Sequence, residues 1–332
     1  ASNSAASPAP AGADYDVTYE IHPLSAGKET AIVGVTLLYR ADFGETKRLP
    51  MVALPGENKW KATIPAADLP APGHLLRYAA QIVDGAGNTW RSPSFRNPDD
   101  GYEWFGTIVE PEAGQADTNL QTFHLFADAT ALSLMDRQYD AVAGTHPYGA
   151  RVGIFESQKN VYYDNVRIDL RGNTSAGFRK KSHGLRFNKC QPLECTNPFD
   201  GEGIETRKTS FIAEYCDPTY IRQALSFWMW RQAGNLAPFD YPVRLRLNGE
   251  FYQLAFHSNR FTDELIEDYY KLDPLGYGYK NVGTFAPKGM TTAGGIEKKT
   301  PDDDNEHDLS VLLAFCEGLA PASAGAATEN AT

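Results

Sequence analysis

The stretch RGNTSAGFRKKSHGLRF, Arg171 to Phe187, sets the reading of the whole chain. Three arginines and two lysines crowd a glycine-containing turn in a protein whose formal net charge is -11. Upstream, Val166, Ile168 and Leu170 alternate with polar residues, and Leu185 and Phe187 continue the alternation on the far side. The period of two predicts a strand, a turn and a return strand. Two chemistries compete for such a hairpin. Gly172 and Gly177 would let backbone N–H groups approach an anion, as in phosphate-cradling loops. Against this stands the commoner role of a basic hairpin as a solvated edge, where lysine discourages strand-to-strand aggregation. Lys180 and Lys181 are neighbours on a strand, so only one of them can face a given cleft.

Working outward, residues 217–234 read as a helix. Asp217-Pro218 supplies a cap and a proline at the first turn, and Gly234 a stop. Ile221, Ala224, Leu225, Trp228 and Met229 fall at helical spacing and predict a core-facing stripe. Next, Val243, Leu245 and Leu247 alternate up to Asn248-Gly249, a strong two-residue hairpin signal, with Phe251 and Tyr252 returning. Hairpin, helix and hairpin define an α+β second domain, assigned to residues 119–319. The pair Asp217 and Arg222 reads as helix capping with an ion pair.

The preceding part, residues 15–110, is a run of short strands. Val33, Val35, Leu37 and Tyr39 alternate, as do Trp60, Ala62 and Ile64, and Leu76, Tyr78, Ala80 and Ile82. No helical period separates them, and the pattern predicts an immunoglobulin-like β-sandwich. This part offers no clustered catalytic side chains. Residues 1–14 read as a flexible start, Pro111 to Asn119 as a linker, and residues 320–332 as a linker-like tail.

Composition narrows the function classes. The acidic balance argues against nucleic-acid or anionic-membrane binding, which need a basic field. No apolar run approaches the roughly 20 residues that span a bilayer, so no transmembrane segment is expected. The small-residue start resembles a mature terminus after signal removal, which places the protein outside the cell or on its surface. Four cysteines fit that compartment. Cys190 and Cys195 flank QPLE and can close it, leaving Cys216 for Cys316; the alternative is four buried thiols, and a zinc site fits less well. Asn173 and Asn330 begin glycosylation sequons. The acidic run from Thr300 to Asp308 suggests a solvated loop, with calcium as the sharper alternative, although EF-hand spacing and its glycine are missing.

The segments VYYDNVRIDLRGNTSAGFRKKSHGLRFNK (161–189), DPTYIRQALSFWMWRQAG (217–234) and VRLRLNGEFYQLAF (243–256) together resemble the CotH family of spore-coat-type atypical protein kinases. The resemblance runs over about residues 119–285, the amino-terminal half of such a domain. It implies a kinase-like fold, and, for catalytic members, phosphate transfer from ATP to Ser or Thr with Mg or Mn. It points to Lys181 on the nucleotide phosphates, with Lys180, Arg171 and Arg186 as further anion contacts. Other members occur as surface adhesins, and the partners expected for this chain are extracellular or surface proteins, with self-assembly as the alternative.

Three departures weigh against catalysis. Where the family pattern YxGLYxLxE has its glutamate, this chain has Asn259. The Asn173 sequon lies in the phosphate turn. No recognisable pair of catalytic and metal-binding aspartates occurs in the sequence given. The reading that results is a secreted or surface component using a kinase-derived scaffold for structure, adhesion or assembly, without cofactor. The alternative is a working Ser/Thr kinase whose aspartates come from elsewhere.

Overall fold

The computed structural model describes residues 2–22, 31–97, 101–111, 119–137, 150–172, 174–196, 201, 203–260, 266, 270, 272, 276–281, 296–300 and 308–315. They form two compact units. The first takes in residues up to Leu193 together with Thr209–Arg222 and Tyr241–Ser258; the second takes in Glu194–Lys208, Gln223–Asp240 and the residues from Asn259 on.

The first unit begins with β1 (Ser2–Ala5), β2 (Tyr15–Glu20), β3 (Ile32–Ala41), β4 (Lys47–Pro50), β5 (Val52–Ala53) and β6 (Lys59–Ile64). Then come β7 (Leu75–Asp84), β8 (Thr89–Ser92), β9 (Arg96–Asn97), β10 (Gly101–Tyr102) and β11 (Phe105–Ile108). One sheet runs β1-β2-β6-β5, a second β11-β7-β3-β4 with β8 on β7, and β9 pairs with β10. Alternation explains the layers. Tyr15, Val17 and Tyr19 from one sheet and Val35, Leu37, Tyr39, Leu76, Tyr78 and Ala80 from the other are all buried in one core. Val33, placed with that inward set by its spacing, is 62% exposed, because a register shift between Ile32 and Gly34 turns it outward.

The rest of the unit is a barrel. Its strands are β12 (Thr122–Phe126), β13 (Ala150–Glu156), β14 (Val161–Arg171) and β15 (Ser182–Arg186), and later β18 (Lys208–Ile212), β19 (Asp240–Leu247) and β20 (Glu250–Asn259). A short helix, α1 (Ala129–Leu134), follows β12, its first turn capped by Asp128, which accepts from the Ala131 N–H. The order β12-β13-β14-β15-β18-β20-β19 closes on itself, β12 lying parallel to β19 with Phe123 opposite Leu245. The basic hairpin is β14–β15, with Ile168 opposite Leu185 and Arg171 opposite Ser182. Asn248 and Gly249 both adopt left-handed backbone (φ 49° and 87°), as the tight β19–β20 turn demands.

The expected fold class, an immunoglobulin-like sandwich followed by an α+β kinase-like domain, is therefore corrected. The chain is mostly β, and its second half is built on a closed seven-strand barrel rather than a helix-covered open sheet. The hairpins were legible from their alternation. The barrel is not, because closure rests on a parallel pairing of strands more than a hundred residues apart, for which no local pattern codes.

Within this unit the amino-terminal sheets and the barrel share packing. Leu75 and Ile108 join Phe126, Phe155 and Tyr162 in one apolar cluster. Tyr162 fits there because Gly106 of β11 and Gly153 of β13 lack side chains; a Cβ on Gly106 would lie 2.6 Å from its ring. Beside it, Arg77 Nη2 donates to both oxygens of Asp164, at 2.7 and 2.8 Å, with both residues buried.

The second unit contains the pair β16 (Leu193–Thr196) and β17 (Gly203–Thr206), the pair β21 (Gly278–Asn281) and β22 (Ile296–Thr300), and most of α2 (Arg222–Gln232). Ile296 and Leu309 form a small core with Tyr279 and Leu312. Among the described residues no helix is long and apolar enough to cross a membrane.

Candidate functional site

The β14–β15 hairpin wraps a 3-10 turn, Thr174–Gly177. Gly172 precedes it at φ 114°, a conformation that side-chain-bearing residues rarely adopt, and the Ser175 hydroxyl packs where a Cβ would sit. The two lysines do not lie on the return strand as expected: β15 begins at Ser182, and Lys180 and Lys181 stand in a bend and irregular backbone before it. Lys181 Nζ donates to the Ala176 carbonyl at 2.7 Å, tying the approach to β15 to its own turn. The Lys180 ammonium lies 3.0 Å from the Tyr220 hydroxyl and 4.5 Å from the centre of that ring.

Lys180, not Lys181, thus lines the cleft beside the hairpin. The cleft encloses about 400 Å³. Its other walls come from Ser175 and Phe178 of the turn, Ser182 of β15, and the segment Ile212–Asp217 that leaves β18, with Arg222 at one end. Ser182 fastens that segment, its Oγ accepting from the Ala213 N–H at 2.9 Å. The rings of Phe178 and Tyr215 stack with centroids 5.1 Å apart and give the cleft an aromatic wall.

The two acidic groups of the cleft are pushed in opposite directions. Asp217 accepts from the Thr219 hydroxyl at 2.6 Å and from the N–H groups of Thr219, Ile221 and Arg222. Those bonds, the Thr219 hydroxyl foremost, hold its carboxyl down at about 2. The helix begins at Arg222 rather than at Pro218, so Asp217 is not its N-cap but organises the turn before it and accepts from its first N–H, and Arg222 Nε adds an ion pair at 3.4 Å. Glu214 is raised, first by burial and then by the Asp217 charge, while Lys180 pulls the other way. The cleft therefore presents two cations, one firmly ionised carboxylate and one carboxyl whose pKa burial raises.

The remaining residues expected at the site are dispersed. Arg171 bonds the Ser210 hydroxyl across the barrel wall, and Arg186 sits half-buried on β15 opposite Arg167. Neither lines the cleft. Asn259 ends β20 and is 2% exposed, and its Oδ1 and Nδ2 are buried with no hydrogen-bond partner among the described residues. The cysteine expectations change as well. Cys190, Cys195 and Cys216 are thiols, so the loop QPLE is not closed by a disulfide. Cys195 is buried, whereas Cys216 is exposed in the cleft wall. Cys316, Asn173, Asn330 and most of the acidic run (residues 301–307) lie outside the described residues. Sequence reasoning missed Phe178, Glu214 and Tyr215. Glu214 and Tyr215 reach the cleft through the β15–β18 pairing, which no local pattern announces.

The geometry defines a β-barrel protein with a mixed-charge, aromatic-walled cleft beside a basic hairpin. Residues 168–330 match the family model described as CotH kinase protein, and over that span the chain is similar to the CotH family. Comparison with curated proteins gives no match. Among solved structures, a GH family 64 laminaripentaose-producing β-1,3-glucanase from Paenibacillus barengoltzii, complexed with laminarihexaose, aligns at 7% identity and a TM-score of 0.21. That alignment covers 64% of this chain and 58% of the glucanase chain, and so weak a superposition carries no argument about fold or activity.

Proposed function

We propose that this is a secreted or cell-surface CotH-like protein whose kinase-derived region serves structure, adhesion or assembly rather than phosphoryl transfer. The observation that carries this reading is the state of Lys181. Its ammonium is bonded to the Ala176 carbonyl of its own turn, so it acts as a brace of the hairpin where a phosphate grip needs it extended toward a ligand. Asn259 agrees with this. The position where the family pattern has a glutamate carries an amide buried without partners among the described residues, and an amide cannot supply the charge that a metal-bridged phosphate requires.

Titration calorimetry with Mg-ATP and with Mn-ATP tests the proposal. No saturable heat is expected from either. Micromolar affinity would overturn it.

A second reading, an atypical Ser/Thr kinase, draws support from one feature, the presence of Lys180 and Arg222 in the same cleft as Glu214 and Asp217. The metal that such chemistry uses does not fit these carboxylates. Both Asp217 oxygens already accept from the 217–222 turn, which leaves Glu214 as the other acid lining the cleft, and burial disfavours its charged form. No phosphoryl-transfer step is derived through them.

A further inference from the structure

Where the amino-terminal sheets meet the barrel, ionisable side chains cluster, with Arg77, Glu103, Tyr162 and Asp164 buried, Arg40 and Arg91 half-buried and Tyr102 exposed. From β14 come Asp164 and Tyr162; from β7, Arg77; from β3, Arg40; from β8, Arg91. Tyr102, Glu103 and Trp104 supply the remainder. Asp164 takes two bonds from Arg77, one from the Tyr162 hydroxyl at 2.7 Å and one from the Trp104 N–H at 2.8 Å. Arg40 and Arg91 lie over the Trp104 ring at 4.4 and 4.9 Å, and Arg91 also lies over Tyr102. Arg91 Nη1 is engaged with the backbone carbonyls of Pro93 and Glu103.

Glu103 is the odd member. It is 8% exposed, and its Oε1 accepts from the Asn188 amide at 2.6 Å. That amide also donates to the Asp164 carbonyl oxygen at 3.1 Å. Glu103, on the connection between β10 and β11, is thereby fastened to the chain that leaves β15. Asp164 has a dedicated guanidinium; Arg91 spends Nη1 on the Pro93 and Glu103 backbone carbonyls, and its Nη2 makes no hydrogen bond to the Glu103 carboxyl.

We propose that Glu103 is a pH-sensitive latch between the amino-terminal sheets and the barrel: with its carboxyl neutral the seam is closed, and its ionisation places a second buried negative charge beside Asp164 and loosens the seam. Burial first, and the Asp164 charge second, raise this carboxyl to about 7 from its ordinary 4.5, with Arg91 opposing. An acid raised by folding stabilises the closed state fully below its ordinary value, and that contribution is lost as pH rises through about 7. The latch therefore closes in mild acid and slackens in mild alkali.

Hydrogen exchange at about pH 5.5 and about pH 8, corrected for the intrinsic pH dependence of exchange, reads the opening directly in peptides over 102–108 and 161–166. Opening of the wild-type seam should rise about tenfold or more across that range, and in Glu103→Gln it should not change with pH. An equal response in both proteins overturns the latch. If Glu103→Gln does not fold, infrared difference spectra of the wild type decide. A protonated buried carboxyl band should persist at about pH 6 and vanish by about pH 8, and its absence at about pH 6 overturns the proposal.

Discussion

Asn259 is expensive as it stands. A buried amide without partners forfeits the hydrogen bonds that water gives it in the unfolded chain, at a cost of roughly 1–3 kcal/mol. Replacing it by an apolar residue of similar volume removes that cost together with the group. Asn259→Leu is expected to leave stability unchanged or to raise it by about 1 kcal/mol in urea unfolding. A loss of 2 kcal/mol or more, on the order of breaking a satisfied buried network, would mean that the amide is paired in solution. The lysines show the same dependence on neighbours. Alternation predicts a strand through Lys180 and Lys181, but β15 begins only at Ser182, so their divergence is not readable from two adjacent letters. Which of them meets the cleft is decided by the Ala176 carbonyl and the Tyr220 ring, both placed by tertiary structure.

At the scale of single elements, α2 separates what sequence encodes from what it leaves open. Its ends are written locally. Asp217 accepts from the first helical N–H, that of Arg222, although the helix starts later than the Asp217-Pro218 pair predicts; at the exit Gly234 N–H reaches the Arg231 carbonyl while Asn235 N–H reaches that of Trp230, the paired bonds of a glycine stop. Its environment is not. The stripe expected to face a core is open, with Ile221 at 55%, Leu225 at 45%, Trp228 at 48% and Met229 at 58% exposed, and no α2 residue is buried. Periodicity reports which residues share a face, but it does not say whether anything covers that face. Here Phe227 and Trp230 extend the apolar surface beyond the stripe, so hydropathy alone marks no clear inside. The difference can be measured. Trp228→Ala should cost at most about 1 kcal/mol in chemical unfolding, where a core tryptophan would cost about 3–5 kcal/mol. A loss in the upper range would restore the core reading. The β19–β20 hairpin is the contrasting case, since Asn248-Gly249 specifies its turn and the alternation of Val243 and Leu245 its buried face. Local chemistry and tertiary environment coincide there, and the expectation needs no revision.

For the molecule as a whole, the decisive fact is that one compact unit runs from the amino-terminal sheets through the barrel. Composition changes around residues 111–119 and suggests a linker, yet the chain on either side contributes to a common cluster of Leu75, Ile108, Phe126, Phe155 and Tyr162. The Arg77–Asp164 pair makes the dependence asymmetric. Removing one partner of a buried ion pair leaves an uncompensated charge, typically costing about 3–5 kcal/mol, and removing the sheets would also expose three large aromatic residues of the barrel. Such a loss is comparable with the net stability of a whole domain, about 5–15 kcal/mol. A fragment of residues 119–332 is therefore expected to lack a cooperative thermal transition and to be degraded by protease under conditions that the full chain survives. Arg77→Ala in the full chain should move in the same direction, with a loss of about 3 kcal/mol or more. The two experiments constrain each other. A fragment that melts cooperatively near the full chain's temperature would show that the barrel carries its own stability, and the seam would then be a contact between neighbours rather than part of a single folding unit.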